Sequence, residues 1–115
     1  MSYDLRIKVK IEGCDKYAVI ACPDYDSPTY NLGKMFRACM NWDYEQGELY
    51  RCSDIIDNVC RGISELKVNK EKYEIYNPPN GWGSIDSALK TLESLWECIY
   101  EQAEEIPIEY LYMSW

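Results

Sequence analysis

The stretch Tyr3–Glu12 (YDLRIKVKIE) alternates apolar and polar side chains without a break. Tyr3, Leu5, Ile7, Val9 and Ile11 fall on one side of an extended chain; Asp4, Arg6, Lys8, Lys10 and Glu12 fall on the other. Successive side chains of a strand point to opposite faces, so this pattern predicts a strand with one face on a core and one in water. Gly13-Cys14-Asp15-Lys16 supplies a turn, and Tyr17–Cys22 (YAVIAC) reads as a second strand, so the two form a hairpin. Pro23 ends it.

A hairpin with one apolar face needs a cover, and the downstream periodicity supplies it. Beyond the Asp- and Pro-rich loop 23–28 (PDYDSP), Thr29 or Asn31 is placed to cap a helix with Leu32, Met35, Phe36, Cys39 and Met40 on one face, ending near Trp42. Residues 41–51 (NWDYEQGELYR) read as a loop. Ser53-Asp54 opens a second helix whose stripe is Ile55, Ile56, Val59, Ile63 and Leu66. Gly62 inside that helix costs about 1 kcal/mol relative to alanine and marks close packing or a bend. Residues 67–76 are charged and read as a helical turn followed by extended chain.

Residues 77–83 (NPPNGWG) are the strongest break in the chain. Ser84 then caps the longest helix, with Asp86 in its first turn, where the dipole favours an anion. Ile85, Ala88, Leu89, Leu92, Leu95, Trp96, Ile99 and Ala103 define its buried side. Pro107 follows, and Ile108–Trp115 (IEYLYMSW) reads as a last strand beside the first or second. The predicted fold is α+β, a single domain over 1–115 in the order strand-strand-helix-helix-helix-strand. Helices cover one face of a small three-stranded antiparallel or mixed sheet, and Arg6, Lys8 and Lys10 lie on the other.

The chain has 115 residues, 47% hydrophobic and 28% charged, a globular and not a disordered composition. Its 20 acidic and 12 basic residues give a net charge of −8. That sign opposes the whole molecule coating nucleic acid or an anionic membrane, and leaves room for a local basic site. Residues 84–115 hold seven acids and one base, so −6 of the −8 falls there. Glu93, Glu97, Glu101 and Glu104, spaced four, four and three, share one face of the long helix. Such a stripe does not stabilise the helix: like charges repel, and the C-terminal end of the dipole disfavours anions. It is either a solvated face that keeps the protein soluble, or a surface that enters a basic groove in place of a phosphate backbone.

Histidine is absent, which removes the commonest general base and metal ligand. Six cysteines sit within periodic apolar patterns and form no Cys-x-x-Cys pair, so they read as reduced core thiols and not as a disulfide framework or zinc site. No run is apolar enough to span a bilayer, and no charged start leads into an apolar block as in a signal peptide. Asp24-x-Asp26 lacks the spacing of a calcium loop, and Asn80-Gly81-Trp82-Gly83-Ser84 lacks the lysine of a phosphate-binding loop. No catalytic residue, metal or cofactor is expected, and the chain reads as non-enzymatic.

Tyrosine (11) and tryptophan (4) far outnumber phenylalanine (1), the bias of surfaces that bind through large rings with polar tips. Several fall in predicted loops, where they either close over the edges of the core or form a binding face. Two sets of candidate residues follow. Glu93, Glu97, Glu101 and Glu104 with Trp82 and Tyr100 form a partner-binding set. Arg6, Lys8, Lys10, Arg37 and Arg51 with Trp42 form an alternative ligand-binding set, in which arginine clamps a phosphate beside an aromatic ring.

The run Thr29-Tyr30-Asn31 ahead of Met35-Phe36, then Asn77-Pro78-Pro79-Asn80-Gly81-Trp82-Gly83-Ser84 entering a leucine-rich helix, resembles a group of small phage and prophage proteins. The resemblance covers roughly the middle two thirds of the chain and brings no functional residues with it. It implies a viral accessory protein in the cytoplasm of a bacterial host cell. In size and acidity, not in motif, such a protein is similar to anti-CRISPR inhibitors. The expected function is non-enzymatic anti-defence: the acidic helix and nearby aromatics bind a host effector in its basic nucleic-acid groove, with no direct nucleic-acid or membrane contact. The alternatives are a phage protein that sequesters a nucleotide signal, and a phage structural or regulatory interaction domain. Acidic and basic regions in one chain also allow homo-oligomers.

Overall fold

The alternation in residues 3–12 becomes strand β1 (Arg6–Lys10), and the following stretch becomes β2 (Tyr17–Ala21), paired antiparallel. The computed structural model describes residues 2–81 and 83–115. Ahead of β1 the chain is already held, because Tyr3 and Leu5 donate their backbone N–H groups to Pro28 and Asp26 carbonyls, each at 2.8 Å. Tyr3, Leu5 and Ile7 are buried, Val9 is half-buried and Ile11 is 43% exposed, so the apolar row runs off the core at the hairpin tip. Ile7 faces Ala21 while Lys8 faces Val19, which leaves Ile20 as an extra residue in β2. A bulge of this kind bends an edge strand away from further pairing.

Among the described residues the sheet has four strands, not the expected three, in the order β2-β1-β4-β3. The additional strand is β3 (Leu49–Arg51), inside residues 41–51 that the sequence pattern presents as a loop. Three residues are too few to show an alternation. β3 exists because β4 (Tyr112–Ser114) pairs with it antiparallel on one side and with β1 on the other.

The chain passes from β3 straight into the helix α2 (Cys52–Val68), starting ahead of the Ser53-Asp54 signal and without a side-chain cap. The Cys52 N–H goes instead to the Leu111 carbonyl at 2.9 Å. Before them lies α1 (Gly33–Met40), entered through a 3-10 turn at Tyr30–Leu32 that Thr29 caps. It stops at Asn41, which takes the left-handed conformation (φ 51°, ψ 47°) that asparagine tolerates. Residues 70–76 are a 3-10 helix following α2, not extended chain. The last helix, α3 (Ile85–Ala103), opens on Ser84, whose Oγ accepts from the Ser87 N–H while the Ser87 Oγ accepts from the Ser84 N–H.

The helices pack as neighbours α1–α2–α3, and both α1 and α3 press against Gly62 of α2. A Cβ there would stand 2.7 Å from Met40 Cγ and 2.8 Å from Leu92 Cδ1, so only glycine fits. Met35, Phe36, Val59, Leu92, Leu95 and Ile99 from the helices bury against Leu5, Ile7 and Met113 from the sheet side. An aromatic cluster closes the end of the core. Trp115 stacks on Tyr44 at 4.2 Å and touches Tyr3, Phe36 and Trp42. Tyr44 and Tyr73, both in stretches without an apolar repeat, are core residues, 1% and 2% exposed.

Candidate functional site

The stripe on α3 forms as the spacing requires, and its members differ in freedom. Glu93 is half-buried and faces Lys67 of α2 at 3.4 Å, so it ties the two helices together. Glu97, Glu101 and Glu104 are exposed, and none forms an ion pair among the described residues. Tyr100 is 47% exposed, and its ring meets Trp96 at 4.5 Å. Trp82 lies outside the described residues.

Beside this stripe α2 and α3 line an open groove of about 460 Å³. The half-buried Ile63 from α2 and Trp96 from α3 give it an apolar floor; Lys67, Val68, Glu93 and Glu97 stand at its edges, and Cys60 brings an exposed thiol. The sequence pattern puts Trp96 and Ile63 on buried stripes, and both are half-buried at the seam. A signal was present in Val68, an apolar residue at the last position of α2, which is 76% exposed. With Lys67 and Glu93 paired, Glu97 is the unpaired charge on the rim, and an aromatic anchor beside a carboxylate suits a partly apolar partner that carries a cation.

Register decides the second set. On the open face of the sheet, Lys8 stands between Val19 of β2 and Tyr112 of β4, and Tyr112 stands next to Arg51 of β3. Lys10 faces Tyr17, and Arg6 faces Ser114. Arg6, Lys8, Lys10 and Arg51 thus share one face, and no strand residue on it is acidic. Arg6 is largely committed, with Asp26 at 3.0 Å and Asp4 at 3.8 Å. That contact also takes up the carboxylate of the Asp24-x-Asp26 pair. Arg37 and Trp42 lie elsewhere: Arg37 donates to the Tyr44 carbonyl at 3.1 Å and covers the Tyr44 ring at 4.2 Å, while Trp42 packs on Tyr50 at 4.8 Å.

All six cysteines are free thiols. Burial pushes Cys39 and Cys52 up to about 12 and Cys98 to about 11, so these three stay protonated and act as apolar filling. Outside both candidate sets, Glu65 gathers the α2 end. The Asn69 side-chain amide donates to it, and Arg61 and Lys72 lie at 3.5 and 4.0 Å. The Asn69 hydrogen bond first, then that from Tyr73 and the two cations, hold its carboxyl below the ordinary value despite partial desolvation. Among the described residues no cluster of acidic or sulfur side chains could hold a metal ion, and no helix is long and apolar enough to cross a membrane. The chain matches no protein-family model, no curated protein and no solved structure.

Proposed function

We propose that this chain is a non-enzymatic binding protein that acts by occupancy, docking the outer face of α3 and the α2–α3 groove onto a basic surface of a nucleic-acid-handling effector. One observation carries the reading. Trp96 and Tyr100, in ring contact at 4.5 Å, border the exposed carboxylates of Glu97, Glu101 and Glu104. The rings supply desolvated area and the carboxylates supply attraction to lysine and arginine positions that otherwise hold phosphates. The resemblance in residues 29–36 and 77–84 supports a phage accessory protein, and the anti-defence role rests on small size and acidity.

The test is inhibition of a panel of nucleic-acid-targeting defence effectors by the purified chain. Glu97, Glu101 and Glu104 are reversed together to lysine, and Glu93 is spared because of Lys67. The expected result is a loss of inhibition by more than about tenfold, with steep salt dependence in the parent chain. A second arm uses Cys14→Ser/Cys22→Ser, which leaves Cys60 as the one exposed thiol. A bulky maleimide there fills the groove and blocks docking. Inhibition that survives both changes sinks the proposal.

A further inference from the structure

At the end of the sheet β1 continues to Lys10 while β4 begins only at Tyr112, because residues 108–110 form a 3-10 turn. The missing length of β4 leaves a notch of about 320 Å³ between Lys10 and Arg51, bounded by Tyr110 and Tyr112. We propose that this notch is a binding site for a single nucleotide, with the phosphate between Lys10 and Arg51 and the base on the Tyr110 ring.

Arg51 is held in place before any ligand arrives. Its Nη1 donates to the Glu109 carbonyl at 2.6 Å, and its guanidinium lies 5.1 Å over the Tyr112 ring. A guanidinium carries five N–H donors, so most of them stay available to phosphate oxygens. Lys10 is 54% exposed, and its contact with Asp15 is 3.9 Å long to a fully exposed carboxylate, which yields readily to a phosphate. Lys8, next along the same face, forms no ion pair among the described residues and adds field.

The rings assign the base. One face of Tyr112 is covered by Arg51, and Tyr17 meets it edge-on at 5.1 Å. Tyr110 is 63% exposed and forms no ring contact among the described residues, so its face is free to stack. Two features limit the ligand to one nucleotide. The notch lies at the lower end of the small-ligand range, about 300–1,000 Å³. Among the described residues the notch itself offers Lys10 and Arg51 as its cations, so the further phosphates of a strand find no second pair there. The site does not depend on the α3 reading, and α3 reversals leave it untouched.

Isothermal titration calorimetry with the four ribonucleoside 5′-monophosphates, a 3′,5′-cyclic nucleotide, inorganic phosphate and an oligothymidylate tests it. At least one nucleotide should bind at one per chain, more tightly than phosphate alone. Lys10→Gln and Tyr110→Ala, both at exposed positions, should each weaken it about tenfold, and Arg51→Ala more. Because Arg51 also holds the turn, the two exposed variants decide if the Arg51 variant unfolds. Absence of heat with every nucleotide at millimolar concentration overturns the proposal. So does unchanged affinity in the Lys10 and Tyr110 variants, phosphate binding as tightly as nucleotide, or the oligothymidylate binding more tightly than any mononucleotide.

Discussion

The outer face of α3 and the open face of the sheet carry opposite charge and hold it in opposite ways. On α3 and at its C-cap the carboxylates of Glu97, Glu101 and Glu104 stand exposed at helical spacing, without ion-pair partners among the described residues. On the sheet the cations are set by strand register, and two of them are further tied down, Arg6 to Asp26 and Arg51 to the Glu109 carbonyl. The net charge of −8 therefore describes neither face. An acidic chain has kept one face free of acidic strand residues, and it has placed tyrosines there.

The most damaging way to break the sheet side is at Trp115. Trp115→Ala removes the ring on which Tyr3, Phe36, Trp42 and Tyr44 converge. Urea unfolding should show a loss of about 3–5 kcal/mol. Trp115→Phe should recover much of it, since the buried Nε1–H finds no acceptor among the described residues and its removal forfeits no hydrogen bond.

Alkaline titration probes the helical side. The folded pKa values of Cys39, Cys52 and Cys98 lie near 11–12, above an unfolded value of about 8.5. Between those limits the unfolded chain loses protons that the folded chain keeps. Stability is thus full below pH ~8.5 and falls as pH rises toward the folded values, at up to about 1.4 kcal/mol per pH unit for each thiol. A Cys39→Ala/Cys52→Ala variant should show a shallower alkaline limb in chemical denaturation. Native alkylation should modify Cys14, Cys22 and Cys60 alone.

Packing between the helices is tested by Gly62→Val, which drives a branched side chain into Met40 and Leu92. The expected loss is about 1–3 kcal/mol, read as a lower urea midpoint. In acid, Glu65 sets a smaller limb. Its folded pKa is depressed, so its contribution is present above the unfolded value of about 4.3 and is lost as pH falls through the folded value. Glu65→Gln should flatten that limb. The smallest effect sharpens the comparison most. Reversing Glu97, Glu101 and Glu104 to lysine should leave the thermal midpoint unchanged or raise it by the equivalent of a few tenths of a kcal/mol, because cations suit a helix C-terminus. A large loss would mean that these carboxylates are structural.

Periodicity and punctuation settle what local chemistry can settle. The alternation of residues 3–12 gave β1, the three-and-four spacing of Ile56, Val59, Ile63 and Leu66 gave α2, and Ser84 capped α3 as its hydroxyl predicts. The stripe of glutamates was equally legible, since a helix repeat alone puts those residues on one face. Only the tertiary structure decided β3, the groove and the notch. Three residues at 49–51 become a strand because β4, more than sixty positions away, offers a ladder. Arg51 joins Lys8 and Lys10 for the same reason, while Arg37, on α1, is spent on Tyr44 seven residues on. Pairing between distant segments is a property of register, and no window of sequence contains it.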